Sequence, residues 1–260
     1  MRKSLLTLAV LSTFAVPTLA SAQATPAAAP ASPHTITGNI SLQSDYRFRG
    51  LTQTMKRPAL QGGFDYSHSS GFYIGNWNSN VSSTVFPNAN LEMDFYAGYK
   101  PAFGDITGDI GILYYYYPGS RAAFGNPQTG DTNSPGKVDN TEVYVGATWK
   151  FLSLKYSHAI SQFFAVPDTK GSNYIDGTAT FDLGGGFGIV GHLGRQKVRH
   201  WKDASYTDWR IGLTKDIGGY VFGAAYVDTN AKDSVWTYTD ARKSINIGKP
   251  GVVVSVSKTF

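Results

Sequence analysis

From Leu91 to Lys100 the chain alternates strictly. Leu91, Met93, Phe95, Ala97 and Tyr99 fall on one face of an extended segment, and Glu92, Asp94, Tyr96, Gly98 and Lys100 on the other. A period of two marks a strand with one apolar and one polar side. The same rhythm returns over 206–217, where Trp209, Ile211 and Leu213 oppose Asp208, Arg210, Gly212 and Thr214. It returns again at the end of the chain, where Val252, Val254, Val256, Lys258 and Phe260 oppose Val253, Ser255, Ser257 and Thr259. About twelve such segments of roughly ten residues can be marked. They start near Gly38, Pro58, Phe72, Leu91, Asp105, Thr141, Leu152, Asn173, Phe187, Tyr206, Gly219 and Gly251.

The connections alternate as well. Tight ones fall at 68–71, 101–104, 151–152, 184–186 and 217–219. Between them lie longer loops at 50–57, 82–90, 118–140, 162–172, 198–205 and 229–250. Barrels of the bacterial outer membrane have short periplasmic turns and long outer loops, and an even strand count puts both termini in the periplasm. A soluble sandwich or barrel with an aromatic core has no reason to alternate in this way. The pattern therefore predicts an all-β chain, a transmembrane antiparallel up-and-down β-barrel of about 12 strands in the cell outer membrane. The apolar faces turn to lipid, because unpaired charge in hydrocarbon costs several kcal/mol. Aromatics near the segment ends suit two interfacial girdles. Tyr46, Phe48, Trp77, Tyr114, Tyr116 and Trp209 are expected at the outer rim, and Tyr66, Tyr73, Tyr99, Trp149, Phe151, Phe187 and Tyr220 at the inner rim.

The chain ends agree. Met1-Arg2-Lys3, a short apolar run from Leu5 to Val16 and Ala20-Ser21-Ala22 read as an export signal over 1–22; the run is too short for a spanning helix. No Cys follows, which excludes a lipoprotein signal. Residues 23–35 read as a disordered Ala/Pro-rich periplasmic linker, and 36–260 as the barrel. Phe260 closes the last strand and is the expected assembly residue, read by the barrel-assembly machinery.

Composition changes this picture little. Without Arg2 and Lys3 the chain carries 21 basic against 18 acidic residues, too even a balance for a nucleic-acid partner. Mean hydropathy is −0.21, and no later apolar run approaches membrane-helix length. The absence of Cys removes disulfides, thiolate metal sites and thiol catalysis.

At SDYRFRGLTQT (44–54), continued by PALQGGFDYSHSSGFYIGNWNSNV through Val81 and then LEMDFYAGY, the sequence resembles the TorF-type porin family, the Gcw_chp group of Gram-negative bacteria. The resemblance covers the N-terminal half well, and the strand-turn rhythm to the last residue. It implies an outer-membrane barrel of porin type. It supplies no solute and no functional residues. Lys258 departs from barrel-closing strands, which usually hold an apolar residue there; near the rim it can snorkel to water.

Constellations with catalytic potential are weak. His68-Ser69-Ser70-Gly71 is distantly similar to the His-x-Ser-Asn-Gly of outer-membrane phospholipases, and Ser157-His158 is a second pairing. A nucleophilic Ser needs a His within hydrogen-bond reach and a third group to orient it. Ser157 and His158 point to opposite faces, and His68 belongs to a turn. His192 and His200 lack metal-ligand spacing with carboxylates, and 184–186 is a hairpin turn with no helix after it, not a phosphate loop. No enzyme activity, cofactor or metal is expected.

The inward charges carry more. Alternation puts Asp45, Asp65, Glu92, Asp94, Asp109, Glu142, Asp176, Asp182, Asp208 and Asp216 inside, with Arg47, Arg49, Lys100, Lys150, Lys155 and Arg210. These are the candidate pore-lining residues. Arg47 and Arg49, on one strand face with Asp45, are the candidates for a constriction or for loop anchoring. Eight strands enclose only side chains and sixteen leave a wide channel. Twelve leaves two readings open, a narrow porin-like channel for passive diffusion of small polar solutes or a non-conducting structural or adhesive barrel. A lipid-modifying enzyme ranks below both. Lys56, Arg57, Lys197, Arg199, Lys202, Lys232, Arg242 and Lys243 make the outer loops basic, which suits lipopolysaccharide phosphates or anionic solutes. The expected partners are outer-membrane lipid and lipopolysaccharide, the assembly machinery and small polar solutes.

Overall fold

The structure is a computed structural model, and it describes residues 32–240 and 243–260. The expected signal at 1–22, the linker as far as residue 31 and Arg242 lie outside the described residues.

Twelve strands form the wall: β1 His34–Gln43, β2 Ala59–His68, β3 Phe72–Asn80, β4 Leu91–Tyr99, β5 Ile106–Tyr116, β6 Asn140–Trp149, β7 Leu152–Ala159, β8 Asn173–Gly184, β9 Phe187–Lys197, β10 Tyr206–Ile217, β11 Tyr220–Thr229 and β12 Gly251–Thr259. They open within one residue of the expected positions, except β1, which begins at His34 rather than near Gly38. Each pairs antiparallel with the next. β12 returns to β1 and closes the barrel, so no sheet edge is left open. This closing seam is short, with five paired residues from Asn39↔Thr259 to Gln43↔Ser255, against ten between β1 and β2. The backbone of Phe260 extends it, its N–H donating to the Gly38 carbonyl at 2.8 Å and its carbonyl accepting from the Gly38 N–H at 3.2 Å.

Alternation sets the two faces. Ile36, Phe64 and Val252 are 74%, 69% and 65% exposed on the outside. So large an apolar surface is stable only against hydrocarbon. The inner face is polar, with glycines where side chains would crowd. Gly75 faces Tyr96, Gly98 faces Tyr73 and Gly111 faces Tyr144 across neighbouring strands. Each ring lies over its glycine; a Cβ at Gly75 or Gly98 would meet the ring carbon Cζ of that tyrosine at 2.6 Å. From there Tyr96 donates to Asp65 at 2.6 Å, and Tyr73 to Asp109 at 2.6 Å.

Short connections follow the even-numbered strands at 69–71, 100–105, 150–151, 185–186 and 218–219. In the last two, glycines hold positive φ at both central positions, 59° and 78° then 64° and 79°, as tight hairpins require. Long connections follow the odd-numbered strands at 44–58, 81–90, 117–139, 160–172, 198–205 and 230–250. The barrel thus has a turn rim and a loop rim. At the loop rim apolar side chains from the loops and the inner wall form one cluster, including Phe48, Leu51, Phe86, Tyr117, Val138 and Ile247.

Several expected placements change. Tyr46, Phe48 and Trp77 are buried inside the barrel rather than in the loop-rim girdle, and Tyr73 points inward rather than to the turn-rim girdle. Lys150 sits in a turn with φ 52°, its Nζ 4.7 Å from the outward ring of Trp149, and does not line the lumen. The 118–140 loop, one of the expected outer loops, is exposed over 127–132 and tied down at Asn133, whose amide donates to the Ala165 carbonyl at 2.5 Å.

Candidate functional site

The first long connection does not project from the rim. β1 leaves the wall at Gln43, and residues 45–55 turn into the lumen. There Arg47–Phe48 and Leu51–Thr52 pair as a small hairpin. Arg49 and Gly50 turn it with φ of 47° and 81°, the left-handed pair that a two-residue hairpin of this type needs. Gly50 also fits because a Cβ there would meet Asp208 Cβ on β10 at 2.7 Å.

Charge anchors the tip. Arg49 donates from both terminal nitrogens to Glu142 on β6, at 3.1 and 2.6 Å, and to Gln196 on β9 at 2.7 Å. Its guanidinium lies 4.3 Å from the Tyr174 ring and 4.8 Å from that of Phe48. Burial alone would lower the Arg49 pKa; Glu142 outweighs it and holds the group above its ordinary range. Arg47 turns back on its own loop, with Nε donating to Asp45 at 2.6 Å and Nη1 to the carbonyls of Gly50 at 3.0 Å and Lys249 at 2.9 Å. Thr52 donates to the other oxygen of Asp45. Tyr46 donates to Glu92 at 2.9 Å. Backbone bonds tie the hairpin to other loops, Thr52 N–H to Ile247 at 2.9 Å and Ser82 N–H to Gln53 at 2.8 Å.

At this level the lumen is closed. Every strand contributes an inward residue: Gln43, Gln61, Ser79, Glu92, Tyr115, Glu142, Ala159, Tyr174, Gln196, Asp208, Val227 and Val253. None is more than 4% exposed. A water-filled passage would leave accessible surface on its wall. Toward the turn rim the inward side chains are partly exposed, among them Thr37, Asn39, Asp65, Asp109, Lys155, Asp176, Thr178, His192 and Ser255. A polar vestibule therefore leads from the turn rim up to the hairpin.

The expected pore-lining residues divide between these regions. Asp45, Arg47 and Arg49 belong to the hairpin and do not share a strand face, because the wall strand has already ended. Glu92, Asp94, Glu142 and Asp208 lie in the closed layer. Asp65, Asp109, Lys155, Asp176 and Arg210 lie on the inner face below it. Lys155 Nζ sits 3.8 Å from the Tyr144 ring. Asp182 and Asp216, at the turn-rim ends of β8 and β10, accept from the N–H groups of Gly184 at 2.8 Å and Gly219 at 2.9 Å and so brace the hairpin turns.

One grouping escaped the sequence. His192 Nε2 is 3.1 Å from Asp208 and 3.0 Å from the Tyr174 hydroxyl, and Nδ1 is 3.0 Å from Thr178. Parity gives these residues one face, but only the register brings them together. Gln43, Gln61 and Gln196 could have been found by parity. The hairpin left a fainter mark, since Phe48, Leu51 and Met55 are unusual in a loop meant for water.

The weak constellations resolve simply. Ser157 points inward and His158 outward, where its ring nitrogen lies 3.3 Å from the Tyr156 hydroxyl. His68 contacts Ser70 at 2.7 Å within the turn. Among the described residues no three His, Cys, Asp or Glu side chains converge on a metal position.

Residues 27–260 match the family described as "Bacterial protein of unknown function (Gcw_chp)". No curated protein matches the chain. Among solved structures, the KdgM porin is similar at 10% identity, covering 86% of this chain and 98% of its own, with a TM-score of 0.50. The KdgM porin in complex with disordered oligogalacturonate is 11% identical with the same coverage and TM-score. A protein from work on in-meso crystallization of membrane proteins is 7% identical, with 86% and 83% covered and a TM-score of 0.51. At such identities the likeness is one of fold, and the fold is that of outer-membrane porin barrels.

Proposed function

The chain belongs to the Gcw_chp family, and we propose that it is an outer-membrane porin-like channel, passing small polar solutes by passive diffusion, with its first loop as the gate. One observation carries this reading. In the dry layer the lumen is filled by an infolded segment, residues 45–55, seated through Arg49 on a polar wall, with the other long connections packed against it at the loop rim. Withdrawing that segment, with the loop side chains that pack on it, would leave a twelve-stranded passage bordered by Gln43, Gln61, Glu92, Glu142, Gln196 and Asp208. Polar groups on such a wall are stable in water and costly in a permanently dry interior.

The alternation of turns and loops supports the turn rim, and both termini, facing the periplasm. Exposed Arg195, Lys197 and Lys170 near the loop rim suit lipopolysaccharide phosphates. The separation of Ser157 from His158 supports a role without catalysis.

A second reading, a non-conducting structural barrel, is favoured by the dry layer spanning all twelve strands. Single-channel recording in planar bilayers separates the two. The channel reading expects rare, brief openings from the whole chain and long ones when residues 46–55 are replaced by a short Gly/Ser linker. Silence from both proteins, each correctly folded, would leave the structural barrel.

A further inference from the structure

The five histidines are unequally placed. His192 and His200 are committed to carboxylates, 3.1 Å from Asp208 and 2.8 Å from Asp168. His158 lies on the outer face of β7 beside Tyr156. His34 and His68 stand together. His34 opens β1, His68 ends β2, and the antiparallel register sets them directly opposite each other at the turn rim. Residues so opposed share one face of the sheet, with Cβ atoms about 5 Å apart. Their ring centroids are 5.2 Å apart, with 51° between the planes. His34 is exposed and His68 partly exposed, so both rings are accessible.

Each ring is held through one nitrogen. His34 Nδ1 is 2.8 Å from the Tyr66 hydroxyl. His68 Nδ1 is 2.7 Å from the Ser70 hydroxyl and accepts from the Ser70 N–H at 3.2 Å. Among the described residues these contacts leave Nε2 uncommitted on both rings. Histidines that bind metals show the same division, one nitrogen coordinating while a hydrogen bond to the other orients the ring.

We propose that His34 and His68 form a two-imidazole site for a divalent transition-metal ion, coordinated through both Nε2 atoms. Two imidazoles on one ion, at bonds of about 2.0–2.1 Å and an angle between square and tetrahedral, place their centroids about 5 Å apart. The observed 5.2 Å fits. Imidazole suits Cu²⁺, Ni²⁺ and Zn²⁺, with water in the remaining positions; Ca²⁺ and Mg²⁺ take oxygen ligands and are poor occupants. Binding puts the His68 ring proton on Nδ1, where the Ser70 hydroxyl accepts it, and the longer contact from the Ser70 N–H is given up. The ion also acts on the wall. β12 pairs with β1 only from Asn39, and Phe260 bonds Gly38. Residues 34–37 are therefore paired with β2 on one side and, among the described residues, with no strand on the other. A metal bridging His34 and His68 clamps this overhang. The site does not depend on whether the barrel conducts.

The full barrel, purified without a histidine tag and held in lipid nanodiscs, would be titrated with Cu²⁺, Ni²⁺ and Zn²⁺ by calorimetry. Pulsed electron paramagnetic resonance of the Cu²⁺ form would count the coordinated imidazoles. One saturable site is expected, with two imidazoles on Cu²⁺ and tighter binding of Cu²⁺ than of Ni²⁺ or Zn²⁺. The second imidazole binds as an intramolecular ligand, so His34→Ala and His68→Ala should each weaken the site by about 100-fold and lower the count to one. His158→Ala should change neither. His34→Gln or His68→Gln replaces an alanine variant that fails to show the heat-modifiable migration of a folded barrel. Zn²⁺ should raise the urea midpoint of the unaltered protein and not of His34→Ala; equal midpoints with and without the ion would overturn the clamp. No saturable site above empty nanodiscs, fewer than two imidazoles in the unaltered protein, or an affinity indifferent to both substitutions would overturn the site.

Discussion

Replacing Arg49 with alanine should open the channel. The substitution removes three hydrogen bonds, two to Glu142 and one to Gln196, together with the stacking on Tyr174 and Phe48. More important is what it strands. Glu142 is 1% exposed and would keep only the Tyr115 hydroxyl at 3.2 Å and the Asn140 amide at 3.3 Å. Removing one partner of a buried ion pair costs about 3–5 kcal/mol, because the other charge stays in a dry site. With the hairpin withdrawn, water reaches Glu142 and this cost disappears, so it falls on the closed state alone. Even the lower figure shifts the closed-to-open ratio by more than about 100-fold. Single-channel records would show this as a rise in open probability with unit conductance unchanged. Arg49→Lys keeps the charge but loses the two-pronged geometry, and should fall in between. Arg49→Ala combined with Glu142→Gln removes the stranded charge and should recover much of the closure. An Arg49→Ala barrel that folds normally and gates like the unaltered protein would refute the idea that this ion pair holds the hairpin in place.

Four further outcomes are expected. Opening withdraws Arg47 and Arg49 and leaves Glu92, Asp94, Glu142 and Asp208 on the wall, so reversal potentials across a KCl gradient should indicate weak cation preference; clear anion selectivity would contradict it. Gly98→Val should lower the urea midpoint of the folded barrel by the equivalent of about 1–3 kcal/mol, because the Tyr73 ring occupies the space its side chain needs. Deleting Phe260 removes two backbone hydrogen bonds to Gly38 and the terminal ring, and should lower outer-membrane yield and leave unfolded periplasmic material on fractionation; undiminished insertion would deny its role in assembly. A short epitope at Gly130, exposed and with free space around it, should be labelled on intact cells, while one at Gly185 should not; labelling at Gly185 alone would invert the topology.

The wall was legible because lipid on one side and water on the other impose a parity that each strand repeats. Leu91 and Glu92 disclose their faces without any neighbour. Parity holds only while the chain stays in the wall. The sequence reading carried β1 past Gln43, and so gave Asp45, Arg47 and Arg49 a common strand face that they lack. Nothing in the spacing of RFRGLTQT says whether the loop turns outward or inward; that depends on Glu142 and Gln196, more than ninety residues away along the chain. Tyr73 was misplaced for a simpler reason. Nearness to a segment end suggested a girdle, although its parity with Gly75 and Trp77 already put it inside. His192 beside Asp208 needed the register, which is settled by turns and neighbouring pairs along the whole sheet.

The closing seam has a mechanical consequence. A tube stitched along twelve lines tears first where the stitches are fewest, and here the line between β12 and β1 holds five residue pairs. The segment that plugs the tube hangs from the end of that same line: Ser44, the first residue after β1, still bonds the Val254 carbonyl at 2.9 Å. A pull on the plug is therefore delivered to the weakest stitching as a peel, one hydrogen bond at a time, while a pull on any other loop is shared along longer rows in shear. Drawn from residue 50 in a force microscope, the barrel should unzip from the seam at low force. Drawn from residue 130, it should resist until whole hairpins come away together.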